Sequence, residues 1–159
     1  MVTERTNKNW ELELVEKYPK IFKDYGADVR VSNMCFGMEC RSGWGTLIDV
    51  LCQKIQHRID SITSDDKEAL QVVASQIKEK FGGLRFYYSG GDDTIEGMVQ
   101  MAESLSYKIC ERCGDSGKTI STNGWYSTRC KRCILDELTE QAQELAAFFR
   151  DMGYENSEV

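Results

Sequence analysis

The chain has 159 residues, 41% of them hydrophobic and 29% charged, with a formal net charge of −6. That balance suits one globular domain, or one domain with a small appended module, and supplies enough apolar material for a real core. No run approaches the roughly 18–20 apolar residues that span a bilayer. The polar residues 1–8 lack the apolar stretch of a secretory signal, and seven cysteines, an odd number, do not suit a secreted disulfide framework. The expectation is a cytoplasmic protein with no membrane partner.

Thr6 or Asn7 can cap a first helix that carries Trp10, Leu14 and Tyr18 on one face, with Pro19 interrupting it. Residues 28–40 have no helical period. Val29 alternates with Val31, and Met34 with Phe36 and Met38, which predicts a strand or two. A second helix opens at Ser42 or Gly43, its buried stripe running from Trp44 through Ile48, Leu51, Cys52 and Ile55 to Ile59. A third helix is expected from Ser64, with Asp65 and Asp66 in its first turn. Its buried face would be Leu70, Val73, Ala74 and Ile77, and Gly82-Gly83 would end it. Residues 84–89 read as a strand with Leu84, Phe86 and Tyr88 inward and Arg85 and Tyr87 outward. Thr94 can cap a fourth helix bearing Ile95, Met98, Val99 and Ala102.

The strongest chemical signal follows. Cys110, Cys113, Cys130 and Cys133 form a C-x2-C, sixteen-residue, C-x2-C pattern. Each pair can present two thiolates from one tight turn, and two pairs complete the tetrahedron that Zn²⁺ favours. Four sulfur ligands leave no position for water, so the expected cofactor is structural Zn²⁺. Between the pairs, Asn123-Gly124 separates two β-prone runs and signals a type I′ hairpin. The second pair then opens a last helix with Ile134, Leu135, Leu138, Ala142, Leu145, Ala146, Phe149 and Met152 as its apolar positions. Knuckle, hairpin and ligand-bearing helix resemble a treble-clef zinc finger. The predicted fold is α+β: a mostly helical domain with a small sheet in residues 1–93, a treble-clef-like zinc module in 94–152 whose long helix packs back on that domain, and a polar tail in 153–159.

Charge divides unevenly: residues 1–109 carry −3, residues 110–133 carry +3 and residues 134–159 carry −6. The basic middle segment invites a nucleic-acid reading through Arg112, Lys118, Trp125, Arg129, Lys131 and Arg132, with a base stacked on Trp125. Four thiolates and one Zn²⁺ add about −2, which lowers the segment to about +1 and weakens that reading. The run from Gly114 to Thr119 ends like a P-loop but has Arg112 where the leading glycine belongs. The single histidine, His57, lies off the apolar stripe of its helix. Cys35, Cys40 and Cys52 read as small buried hydrophobes rather than as a second metal site. Glu39, Glu79, Asp92 and Asp93 are the candidate carboxylates if the chain uses Mg²⁺ on phosphate substrates.

Two stretches carry more glycine, aromatic and charged side chains than plain packing asks for: residues 36–45 and residues 78–88. Candidate binding residues within them are Glu39, Arg41, Trp44, Lys80, Arg85 and Tyr87. The run KEKFGGLRFYYSGG, with FGMECRSGWGTLIDVLCQKI before it and AESLSYKICERCG and GWYSTRC after it, resembles a family of small proteins of tailed phages and bacterial prophages. The resemblance spans roughly residues 34–133. It brings no catalytic residue. It implies a phage accessory protein at work inside a bacterial cell, with host proteins or host defences as targets. The leading expectation is therefore a non-enzymatic protein that binds a host macromolecule or a small signalling molecule. A nucleic-acid-binding zinc protein is the alternative, and a carboxylate-based enzyme the second alternative.

Overall fold

The structure is a computed structural model that describes residues 9–63 and 67–154. The expected caps Thr6 and Asn7, and the expected helix start at Ser64, Asp65 and Asp66, lie outside the described residues. The fold is α+β, and the described residues form four α-helices and two antiparallel β-hairpins in the order α1 (Asn9–Lys17), α2 (Gly45–Asp60), β1 (Val73–Lys80), β2 (Gly83–Ser89), α3 (Asp93–Ser106), β3 (Lys118–Thr122), β4 (Trp125–Arg129) and α4 (Lys131–Asp151).

The main core sits between α2, α3 and the inner face of the β1–β2 hairpin. Ile48, Ile55 and Ile59 of α2 meet Ala74 and Ile77 of β1, Leu84 and Phe86 of β2, and Ile95 and Val99 of α3. The wide apolar stripe of α2 forms as its spacing requires, and a short 3-10 turn over Ser42–Trp44 leads into it. Trp44 is fully buried, and its indole N–H donates to the carbonyl of Ile109 at 3.0 Å. α3 packs into this core, with Ile95, Val99 and Ala102 members of the main cluster. The cap of α3 is corrected. Asp92, not Thr94, accepts the N–H of Ile95, at 3.0 Å, and it pairs with Arg58 at 3.0 Å.

The third predicted helix is a strand. β1 pairs with β2 from Val73↔Ser89 to Lys80↔Gly83, with a bulge between Ala74 and Gln76. The extra residue rotates the strand, so Ala74 and Ile77, three apart, both turn inward. That spacing imitates a helical face. The strands expected in 28–40 do not form. Ser32 caps a 3-10 turn over Asn33–Phe36, and only Glu39 extends the sheet, through a parallel bridge to Lys78. Val29 and Val31 are exposed, so their alternation reflects no buried face.

The last helix departs furthest from expectation. Along α4 only Cys133 is buried, and the apolar side chains from Leu135 onward face outward rather than packing back on the core. Of the expected polar tail, Tyr154 turns its ring against Phe149, with centroids 6.0 Å apart.

Candidate metal centre and adjoining cleft

The four cysteines converge. Their sulfur atoms all lie within 4.8 Å of one another, and those of Cys113 and Cys130 are 3.6 Å apart. A tetrahedral ion with metal–sulfur bonds of about 2.3 Å places its sulfurs about 3.8 Å apart, so the spacing fits. Cys110 and Cys133 are buried, and Cys113 and Cys130 half-buried. None of the seven cysteines is in a disulfide. Among the described residues this is the one cluster of three or more histidine, cysteine or acidic side chains with ligand spacing.

Local backbone explains the convergence. Cys110 and Cys113 flank a tight turn closed by the Gly114 N–H on the Cys110 carbonyl at 2.8 Å. Cys130 caps α4, its sulfur accepting the Cys133 N–H at 3.4 Å. The Cys110 thiol is raised by burial, but the N–H groups of Cys130, Cys113 and Arg112 outweigh that effect and bring it down to about 7. Cys133 moves the other way, pushed up to about 12 by burial and by the neighbouring thiols. The Cys110 thiolate forms readily while Cys113 and Cys133, both raised chiefly by burial, resist, as expected where like charges crowd and a cation is needed to hold them ionised. The residue before Cys130 gives a second sign. Arg129 is 7% exposed and pairs with Glu137 at 2.9 Å, yet its Nε and Nη1 atoms are buried without a hydrogen-bond partner. A metal tetrathiolate of about −2 charge beside it offsets the cost of that buried cation.

The β3–β4 hairpin forms as Asn123-Gly124 dictates, with φ of 51° and 83° at the two turn residues and Thr122 opposite Trp125. A second turn of the same kind joins β1 to β2: Phe81 and Gly82 have φ of 53° and 79°. Sequence reasoning took Gly82-Gly83 for a helix stop and missed this turn, because a phenylalanine is an unusual occupant of the left-handed region. The tip of the β1–β2 hairpin rests on the β3–β4 ladder. Thr128 donates to the Gly82 carbonyl at 2.6 Å, and the Phe81 ring stands edge-on to Tyr126 at 6.5 Å.

Beside that contact lies a cleft of about 420 Å³, lined by Glu39, Arg41, Glu79, Glu111, Tyr126 and Arg129 among others. Glu111, missed by sequence reasoning, is buried and accepts the Arg41 N–H at 3.2 Å. Burial raises its carboxyl above the usual carboxylate range, Arg41 opposes that rise, and Glu79 adds to it. Of the six candidate binding residues, Glu39 and Arg41 line the cleft. Trp44 does not, because it is a core side chain. Arg85 and Tyr87 stand on the outer face of the sheet. Lys78 and Arg85 are direct cross-strand neighbours, and each turns to an aromatic ring: Lys78 over Tyr87 at 5.7 Å and Arg85 over Tyr107 at 5.8 Å. Lys80 is exposed beside the Phe81 ring. Glu39 joins cleft and face, its carboxylate accepting from Gln76 at 2.8 Å.

The nucleic-acid set scatters. Arg112 pairs with Glu140 at 3.0 Å, Arg132 with Asp115 at 2.8 Å, and Arg129 is buried. Trp125 is 82% exposed at the hairpin tip, and Lys118 and Lys131 are exposed. The carboxylate set divides as well: Glu39 and Glu79 line the cleft, Asp92 serves as a helix cap and Asp93 is exposed. His57 is exposed and Cys52 fully buried, its thiol pushed well up by burial. A larger cavity, about 780 Å³ beside Lys20, Lys23 and Lys67, contains none of the candidate residues. No helix among the described residues is long and apolar enough to cross a membrane.

Comparison with protein-family models, with curated proteins and with solved structures finds no match to this chain.

Proposed function

We propose that this chain is a non-enzymatic binding protein: a phage accessory protein, acting in the cytoplasm of a bacterial host, with a structural Zn²⁺ on its four cysteines. Its partner is a host protein or a small signalling molecule. The observation that carries this reading is the cleft in which Glu39 and Arg41, Glu79, and Tyr126 and Arg129 come together from three separate parts of the chain. Those parts include both stretches that the sequence marks as rich in glycine, aromatic and charged residues. A tetrathiolate centre has no position for substrate or water, which supports a scaffolding role for the metal. Its task in this reading is to hold the β3–β4 hairpin against the Phe81-Gly82 turn.

The exposed Trp125 favours a second reading, single-strand stacking on the hairpin tip. The pairing of Arg112, Arg129 and Arg132 with carboxylates leaves that reading little phosphate attraction. The carboxylate enzyme has less support still, since Glu39, Glu79, Asp92 and Asp93 gather no metal-ligating group among the described residues.

The test is native mass spectrometry of the intact protein isolated from bacterial cells, alongside a Glu39→Ala/Tyr126→Ala variant. The expected result is a retained protein or small molecule that the variant loses. Equal retention by both proteins, or none by the wild type, overturns the reading.

A further inference from the structure

The outward face of α4 has the sequence of a coiled-coil seam. Leu135, Ala142 and Phe149 occupy one heptad position and Leu138, Leu145 and Met152 the other, alternating by three and four residues along a helix of 21 residues, about 31 Å. Leu138 and Leu145 are 57% and 56% exposed. The seam is turned away from the rest of the chain by ion pairs on its opposite side. Glu137 reaches Arg129 at 2.9 Å, and Glu140 reaches Arg112 at 3.0 Å. Seven exposed apolar side chains from Leu135 to Tyr154, each showing on the order of 100 Å², exceed the few hundred Å² usual for a monomer and approach the roughly 800 Å² per partner of a standard interface.

We propose that this face pairs with the same face of a second copy, α4 against α4 in antiparallel register, so that the protein is a dimer. Charge placement selects a second copy. The helix is strongly acidic, yet Asp136, Glu137, Glu140, Glu144 and Asp151 all lie away from the seam, and the positions flanking it are Ile134, Gln141, Phe148, Thr139 and Ala146. Two such helices therefore meet without facing carboxylates. Side-chain volume selects the antiparallel arrangement. Parallel pairing would stack Ala142 on Ala142 and Phe149 on Phe149, a void followed by a crowded layer. Antiparallel pairing sets Ala142 against Leu145, Leu138 against Phe149 and Leu135 against Met152, which fills each layer evenly. It also opposes the helix dipoles and holds the two metal modules at opposite ends of the seam.

Sedimentation velocity on the full, metal-loaded chain at micromolar concentration tests the pairing. The wild type should be a dimer. Leu138→Glu/Leu145→Glu should raise the dissociation constant by about a hundredfold or more while leaving metal content and the thermal transition of the core unchanged. A monomeric wild type, or a dimer that survives the double substitution, overturns the proposal. Gln141 and Phe148 test the orientation, because in the antiparallel register Gln141 of one copy flanks Phe148 of the other, and in a parallel pair the two lie on opposite sides of the seam. Gln141→Glu/Phe148→Glu should weaken the dimer, and mixing it with Gln141→Lys/Phe148→Lys should restore it. If neither change alters assembly, the antiparallel register is wrong.

Discussion

Thr128, two residues before the second cysteine pair begins, donates its hydroxyl proton to the carbonyl of Gly82 at the tip of the other hairpin, at 2.6 Å. Thr128 is fully buried, and its oxygen in turn accepts from Thr119 across the β3–β4 ladder at 2.9 Å. One side chain thus couples the hairpin between the cysteine pairs to the sheet of the main core, and its neighbours Ser127 and Arg129 line the cleft. Replacing it with valine keeps the shape and removes the hydroxyl. Thr128→Val should cost about 1–3 kcal/mol, because the Gly82 carbonyl loses its donor in a buried place. Chemical denaturation measures the loss. Metal content should stay at the wild-type value, since no ligand changes, and a cost near zero would remove Thr128 as the coupling residue.

Gly43 fixes a second tie between the two parts. Its N–H donates to the Glu111 carbonyl at 2.8 Å, and a Cβ there would run into the carbonyls of Cys110 and Glu111. Backbone cannot swing aside as a flexible side chain can. Gly43→Ala should therefore push the 3-10 turn of Ser42–Trp44 away from the cysteine knuckle, at about 1–3 kcal/mol, and lower metal affinity as well. Calorimetry and competitive chelation report the two effects. Wild-type values in both would mean the contact is looser than its geometry.

Metal removal should divide the molecule. None of the four cysteines belongs to the main hydrophobic cluster, which gathers α2, α3 and the β1–β2 hairpin. Chelation, or Cys130→Ala, should release the β3–β4 hairpin and the first turn of α4 while the core stays folded. The readout is hydrogen exchange: amides of β3 and β4 lose protection, and those of β1 and β2 keep it. Elemental analysis of the untreated protein should find one zinc per chain. Simultaneous loss of protection in both hairpins would show that the metal holds the entire fold.

The divide between what was legible in the sequence and what was not follows from the range of the forces involved. The Asn123-Gly124 turn, the cysteine knuckles and the α2 stripe are dictated within a few residues, so they could be read directly. β1 could not, because the bulge between Ala74 and Gln76 brings Ala74 and Ile77 to one face at a helical interval. Its assignment depends on Leu84 and Phe86 across the ladder, which is tertiary information. The stripe on α4 was read correctly as apolar, but a stripe does not say what covers it. That was set by Arg112 and Arg129, which hold the opposite side of the helix against the four-cysteine module. Of the cleft, Glu39 and Arg41 were visible as candidates. Glu111 was hidden among the metal ligands, where its neighbours supplied the stronger signal.

Buried polar pairing under α1 should give the stability curve an alkaline edge. Glu11 is 2% exposed and accepts the Tyr25 hydroxyl at 2.9 Å and the Met38 N–H at 3.1 Å. Burial, then the hydrogen bond and charge of Glu11, push the Tyr25 phenol up to about 12 from its ordinary value of 10.0. The folded state therefore holds this proton where the unfolded chain releases it. The stability so gained is whole below pH 10, where neither state ionises, and is lost as the pH rises through about 12. Tyr18 and Tyr88 are raised as well, each chiefly by burial, and contribute in the same direction. Tyr25→Phe should cost about 1–2 kcal/mol at neutral pH, because Glu11 loses a donor. Between pH 10 and 12 it should lose less stability than the wild type, since one of the protons responsible is gone. Unfolding free energies measured across that interval decide the matter: parallel curves for the two proteins would mean that Tyr25 ionises as freely in the fold as outside it.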